Sequence, residues 1–238
     1  MAMLEKTAFF TALEDARKPR GSGKHPFSLA WSEGRLSRAQ LGQWAVQHYY
    51  YISTIPPQFA ALYARMPDEE GRELLMENLV GEEPPHAPDK SHPRLLLKFA
   101  RACGLTNEDV TGAEARGEIL PATRAMRAWI WELATIRPMH ESCAGIMVAL
   151  EGQLPTLYPG YISAMEKMGF TEDELEFFHI HVENDEEHAA VGLELCNRFA
   201  DTPQKQQMAI QAVRGSAGLR YNMLSEIREA IAVSKEAA

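Results

Sequence analysis

The stretch Phe177 to His188, FFHIHVENDEEH, carries three histidines and four carboxylates in twelve residues without a Gly or Pro. Imidazole and carboxylate are the donors that iron and manganese accept from proteins, so it matters which of these side chains share a helix face. At about 100° per residue, His181, Asp185 and His188 fall at about 0°, 40° and −20°, a single narrow sector. The same sector continues through Phe177, Gly192, Leu195 and Phe199, all apolar or lacking a side chain. His179, Glu183, Glu186 and Glu187 project elsewhere and form a solvated face. An aspartate buried in an apolar stripe is strongly unfavourable unless something compensates it. The His/Asp/His row is therefore either a hydrogen-bonded trio or part of a metal site. With eight histidines and 33 acids in 238 residues, chance supplies roughly 0.04 such rows, which is uncommon without being decisive.

Two metal ions in a helical bundle need donors from several facing helices. Glu151 is the sole charged residue between Glu141 and Glu166, on an apolar helix (AGIMVALEGQLPTLYPGY) that Pro155 terminates. It reads as a ligand or as a glutamate that snorkels or stays neutral. ENLVGEEPPHAPDKSHPRLLLKF adds Glu82 or Glu83 at a helix end, and His86 or His92 after it. His92 has the better setting, because it leads into an amphipathic helix that must pack inward. A ferritin-type site would need Glu-x-x-His on two buried helices. Glu83-x-x-His86 straddles Pro84-Pro85, and Glu176-x-x-His179 faces away from the His/Asp/His row. There is no GxGxxG, P-loop, GxSxG or HExxH, so nucleotide binding and the familiar hydrolase mechanisms lack support. Trp44, Tyr49, Tyr50 and Tyr51 are candidates for substrate-pocket walls, though core packing is the commoner role for any one of them. Arg124, Arg127 and Arg137 are candidates to meet a substrate carboxylate, though arginines on a helix surface are common.

These residues must be positioned by helices. Apolar residues recur at three- and four-residue steps, and few segments alternate with period two, so the class is all-α, a bundle of about seven or more helices. Expected helices cover 3–17, a short segment around Phe27 to Trp31, and a long helix capped by Ser37 that Pro56-Pro57 kink or break. Another opens at Pro67-Asp68-Glu69-Glu70 and stops near Glu83. The next starts at Ser91-His92-Pro93, and others cover 121–135, 139–153, 156–168, 172–199 and 203–233. No repeat or linker divides the chain, so residues 1–238 read as a single helical domain. Net charge is −9 with no basic patch, which argues against nucleic acid. The N-terminal segment carries Glu5, Lys6, Glu14 and Asp15, unlike an export signal. The uncharged run from Leu41 to Ala64 is broken by polar residues and two prolines, so no membrane span is expected. Cys103, Cys143 and Cys196 are odd in number and form no CxxC, as in a reduced, cytoplasmic protein.

In order along the chain, HPFSLAWSEGRLSRAQLGQW, ENLVGEE, SHPRLLLKFARACGL, ALEGQLPTLY and EFFHIHVENDEEHA resemble the haem-oxygenase-like di-iron oxidases and oxygenases. The likeness is to the branch around PqqC and the chlamydial death-domain-associated protein, and it covers about His25 to residue 200. It implies a haem-oxygenase-like fold and a ligand set of Glu82, His92, Glu151, His181, Asp185 and His188 for two Fe(II) ions, or an Fe/Mn pair, with O2 as co-substrate. The longer loop before His92 keeps Glu83 and His86 as rivals. In the branch that makes p-aminobenzoate, the protein consumes one of its own tyrosines and uses a nearby lysine. Ser28 and Tyr161 match those positions here, which implies a diffusible substrate instead. The implied activity is oxidation or fragmentation of a small, amino-acid-derived metabolite, by N-oxygenation or C–C/C–N cleavage, in a homodimer served by a reductant or redox partner. The alternatives are a PqqC-like cofactorless oxidase and a non-catalytic metal-binding or interaction protein.

Overall fold

The computed structural model describes the backbone of residues 2–236 and the side chains of residues 2–182 and 189–231. Among the described residues there is no strand. The helices are α1 (Lys6–Arg17), α2 (Pro26–Ser32), α3 (Arg38–Ile52), α4 (Ile55–Arg65), α5 (Glu69–Glu82), α6 (His92–Ala102), α7 (Asn107–Thr111), α8 (Pro121–Thr135), α9 (Met139–Cys143), α10 (Leu154–Lys167), α11 (Glu176–Phe199) and α12 (Pro203–Glu236). No helix among the described residues is long and apolar enough to cross a membrane.

Local chemistry sets most helix boundaries. Ser37 and Gln40 form a reciprocal capping box at α3, a device whose loss costs about 1 kcal/mol. Asp68 caps α5 by accepting from the Gly71 amide at 2.7 Å. Pro56 and Pro57 fall in the first turn of α4, where a missing N–H is harmless, so α3 ends at Ile52. Helix α1 starts at Lys6 rather than residue 3, because Leu4 instead exchanges backbone hydrogen bonds with the Gln206 side chain of α12.

The expected helix over 139–153 is not continuous. After α9 the chain makes a π-helical turn over Ala144–Val148 and a 3-10 turn over Glu151–Gln153. Pro155 sits in the first turn of α10 and so opens the next helix as well as closing the previous one. A π turn takes one extra residue, which rotates the following side chains by about 100° relative to a plain α-helix and re-aims Glu151. The irregular carbonyls are satisfied by side chains: Arg17 donates to Val148 O at 2.8 Å, and the Gln153 amide donates to Ala149 O at 3.1 Å. Gly192 of α11 lies against this turn, and a Cβ there would stand 2.5 Å from Met147 Cβ. Glycine is thus required for the close approach of α11.

Helix α11 packs on α10, α9 and the π turn, while α12 packs on α1, α8, α9 and the same turn. The aromatic centre is built on Trp31, which stacks on Tyr161 at 4.1 Å and meets Trp44 edge-on at 4.8 Å. Trp44 in turn stacks on His48 at 4.3 Å. Arg38 ties α3 to two helix ends, donating to Ala102 O after α6 and to Met168 O after α10 at 2.9 and 3.2 Å. Its guanidinium also lies 3.8 Å from the Phe170 ring centre, so lost packing and lost caps would coincide if it were removed.

Candidate functional site

The proline-rich loop after α5 brings its last residue beside the first residue of α6. Glu82 is 7% exposed and His92 3% exposed, and His92 Nδ1 lies 2.9 Å from Glu82 Oε2. Glu83, the C-cap of α5, and His86 in the loop are both exposed. The structure therefore puts Glu82 and His92 together inside and leaves their rivals outside. From α11, His181 is 4% exposed, and its ring centre is 4.5 Å from that of His92. Its Nδ1 lies 2.6 Å from the Phe177 carbonyl one turn earlier. A carbonyl can only accept, so Nδ1 carries the proton and the ring lone pair is on Nε2, the orientation a metal-ligating histidine needs. Glu151, re-aimed by the π turn, is partly buried. Asp185 and His188 lie outside the described residues, as do Glu183, Glu186 and Glu187.

Tyr51 links these groups to the opposite wall. Burial pushes its phenol well above the ordinary range, with Tyr158, Glu151 and Glu82 acting in the same direction and Arg220 opposing. His48, one turn earlier on α3, is held well below the ordinary imidazole range by burial and by the neighbouring Arg220 and His181. Its ring is therefore neutral. Phe177 and Tyr158 complete the lining, 4.5 and 5.8 Å from the His181 ring. Sequence reasoning named Trp44 and Tyr51 but missed His48, Tyr158 and Arg220.

Other expected site residues lie elsewhere. Tyr50 hydrogen-bonds Glu114 at 3.1 Å, and Arg127 stands over the Tyr50 ring at 4.2 Å and pairs with the same Glu114 at 3.8 Å. This cluster is at the surface, and Arg124 joins it. Tyr49 is partly buried near Arg94. Arg137 pairs with Glu132 at 2.8 Å. His179 lines an open surface hollow with Lys90, Glu176 and Ile180, as its helical angle requires. Tyr161, stacked on Trp31 with the Ser28 hydroxyl beside its phenol, belongs to the core.

The donors gathered here are carboxylate and imidazole, a hard to borderline set suited to iron or manganese. Among the described residues no three His, Cys, Asp or Glu close into a complete coordination group. Glu82 with His92, and His92 with His181, instead meet pairwise, and the charges of Glu151 and Glu82 both act to raise the Tyr51 phenol. A buried acid against a buried imidazole, with a second imidazole whose tautomer is already fixed, fits a metal.

The all-α bundle has the haem-oxygenase-like fold. A crystal structure of a domain of unknown function with that fold from Shewanella denitrificans superposes with a TM-score of 0.78, at 16% identity over 100% of this chain and 97% of the other. The chain belongs to the iron-containing redox enzymes, whose family profile matches residues 42–221. It is 31% identical to the 4-aminobenzoate synthase of Nitrosomonas europaea over 87% of this chain and 85% of that one. It is 29% identical to a pyrroloquinoline-quinone synthase of Acidiphilium cryptum over 92% and 87%. The protein is thus an all-α member of a redox enzyme family.

Proposed function

We propose that the protein is an O2-dependent di-iron oxidase or oxygenase, with Glu82, His92, Glu151, His181, Asp185 and His188 as ligands for two Fe(II) ions or an Fe/Mn pair. The observation that carries this reading is the buried Glu82–His92 contact at 2.9 Å with the His181 ring 4.5 Å away. Three carboxylates offset most of the charge of two divalent ions, while the imidazoles add ligation without charge. When bound, the metals supply the electrons and the oxidising power for O2 chemistry. The chain's own residues do the rest. The Phe177 carbonyl holds the His181 proton on Nδ1 and so orients Nε2. Tyr51, Phe177, Tyr158 and Trp44 wall the region against water, and neutral His48 adds no competing charge.

The substrate is a small, amino-acid-derived metabolite that undergoes N-oxygenation or C–C/C–N cleavage. The match of Ser28 and Tyr161 to the positions of a consumed tyrosine and its lysine supports a diffusible substrate rather than a sacrificial residue. The likeness to pyrroloquinoline-quinone synthase favours a second reading, O2 chemistry without metal. Anaerobic loading with Fe(II), followed by O2 uptake with a panel of amino acids, separates the two. Uptake abolished by chelation and by His181→Ala supports the metal enzyme, whereas uptake that survives both supports the cofactorless one.

A further inference from the structure

The interior holds a cation that the metal centre does not explain. Arg220 lies on the buried stripe of α12 formed by Val213, Ser216, Met223, Leu224 and Ile227, and is 3% exposed. Its Nε has no hydrogen-bond partner, and no described carboxylate forms an ion pair with it. A guanidinium held out of water in this way is strongly unfavourable unless an anion joins it. It stands 5.7 Å from the centre of the Tyr51 ring, and Tyr51 in turn feels Glu82, Glu151 and Tyr158. The cation therefore borders the same region as the candidate ligands. Facing it from α3, His48 is 1% exposed, and neither of its ring nitrogens has a hydrogen-bond partner. Both buried groups border the Tyr51 ring, the His48 ring centre at 5.3 Å and the Arg220 guanidinium at 5.7 Å.

We propose that Arg220 selects the substrate by charge, receiving the carboxylate of a small monocarboxylic acid whose body lies against Tyr51, with His48 hydrogen-bonding the same ligand. This rests on the reading that the substrate enters this interior region. The planar guanidinium fork matches one carboxylate bidentately, and the rings around it suit an apolar or aromatic body. A neutral amide or alcohol leaves the buried guanidinium unpaired and is rejected for that reason. A rival role for Arg220, as distant counter-charge to Glu82 and Glu151, would alter metal binding on its removal but give no preference for acids over amides.

The test is binding, not turnover. Full-length protein, freed of metal by chelation and separately loaded with Fe(II) under argon, is titrated calorimetrically with 4-aminobenzoate against 4-aminobenzamide, and with phenylacetate against phenylacetamide. At least one acid should bind ~10-fold or more tightly than its amide. Arg220→Met should bring the acid down to the level of the amide, and Arg220→Lys should fall between. An acid preference that persists in Arg220→Met overturns the proposal, as does the lack of any acid preference in the wild type. Should Arg220→Met fail to fold, the wild-type comparison and Arg220→Lys decide it by the same criteria. Acid selectivity in a protein that binds no iron would retain this assignment and remove the metal reading. Iron binding without acid selectivity would remove this assignment alone.

Discussion

His92 Nδ1 lies 2.9 Å from Glu82 Oε2, a contact between the first residue of one helix and the last residue of another. Pro84 and Pro85 end α5, and Pro93 in the first turn of α6 restarts the helix. The pair is thus an outcome of where helices can stop and start. Glu82→Ala should lower iron affinity by at least ~100-fold while the protein remains folded. Exposed Glu83→Ala should change stability by less than about 0.5 kcal/mol and leave iron content unchanged. Metal analysis and denaturant titration of both variants check this.

The π turn should be sensitive to the helix beside it. Gly192→Ala places a methyl 2.5 Å from Met147 Cβ, an atom fixed to the backbone. We expect a loss of about 1–3 kcal/mol by chemical denaturation. Iron affinity should fall as well, because displacement of the turn moves Glu151. Wild-type stability in this variant would mean that α11 and the turn have slack.

Acid should weaken the fold through His25. Its Nδ1 accepts the Phe27 amide at 3.0 Å, capping α2, and its Nε2 meets Ser225 Oγ at 3.0 Å. Burial, with Arg228 adding, holds its pKa down to about 4 from 6.5. The unfolded chain thus binds more protons between these values. The contribution is full above pH 6.5 and is lost as pH falls towards about 4, an amount on the order of 2 kcal/mol. His25→Asn, which can cap without titrating, should show a shallower loss of stability over that window. Equal slopes for the two proteins would contradict the assignment.

Arg127 should be dispensable for metal binding. Its contacts are the Tyr50 ring and Glu114 at the surface, together worth about 1 kcal/mol or less. Arg127→Ala should melt within a few degrees of wild type and retain full iron content.

Capping and proline chemistry made much of the fold legible: Ser37, Asp68, His92-Pro93 and Pro121 all open helices where local rules place them. Helix α7 escaped, although Thr106 and Asp109 form a capping box, because five residues are too short to show an apolar stripe. The π turn escaped because its residues are buried all round and carry no periodicity to break. At the site, helical angles separated His181 from His179. The same test, applied to α3 and α12, would have picked out His48 between Trp44 and Tyr51, and Arg220 between Ala217 and Leu224. One of three arginines in a 34-residue helix passes for surface unless its apolar neighbours are counted. Arg127 and Tyr50 illustrate the reverse: residue type suggested a site, and their angles carried them outward.

Anaerobic titration of metal-free protein with Fe(II), counting bound metal after removal of excess, tests the di-iron assignment most directly. Two irons per chain are expected in the wild type, with binding lost in His181→Ala and retained in His179→Ala. A folded wild-type protein that retains no iron, or a His181→Ala variant that retains both, would contradict it.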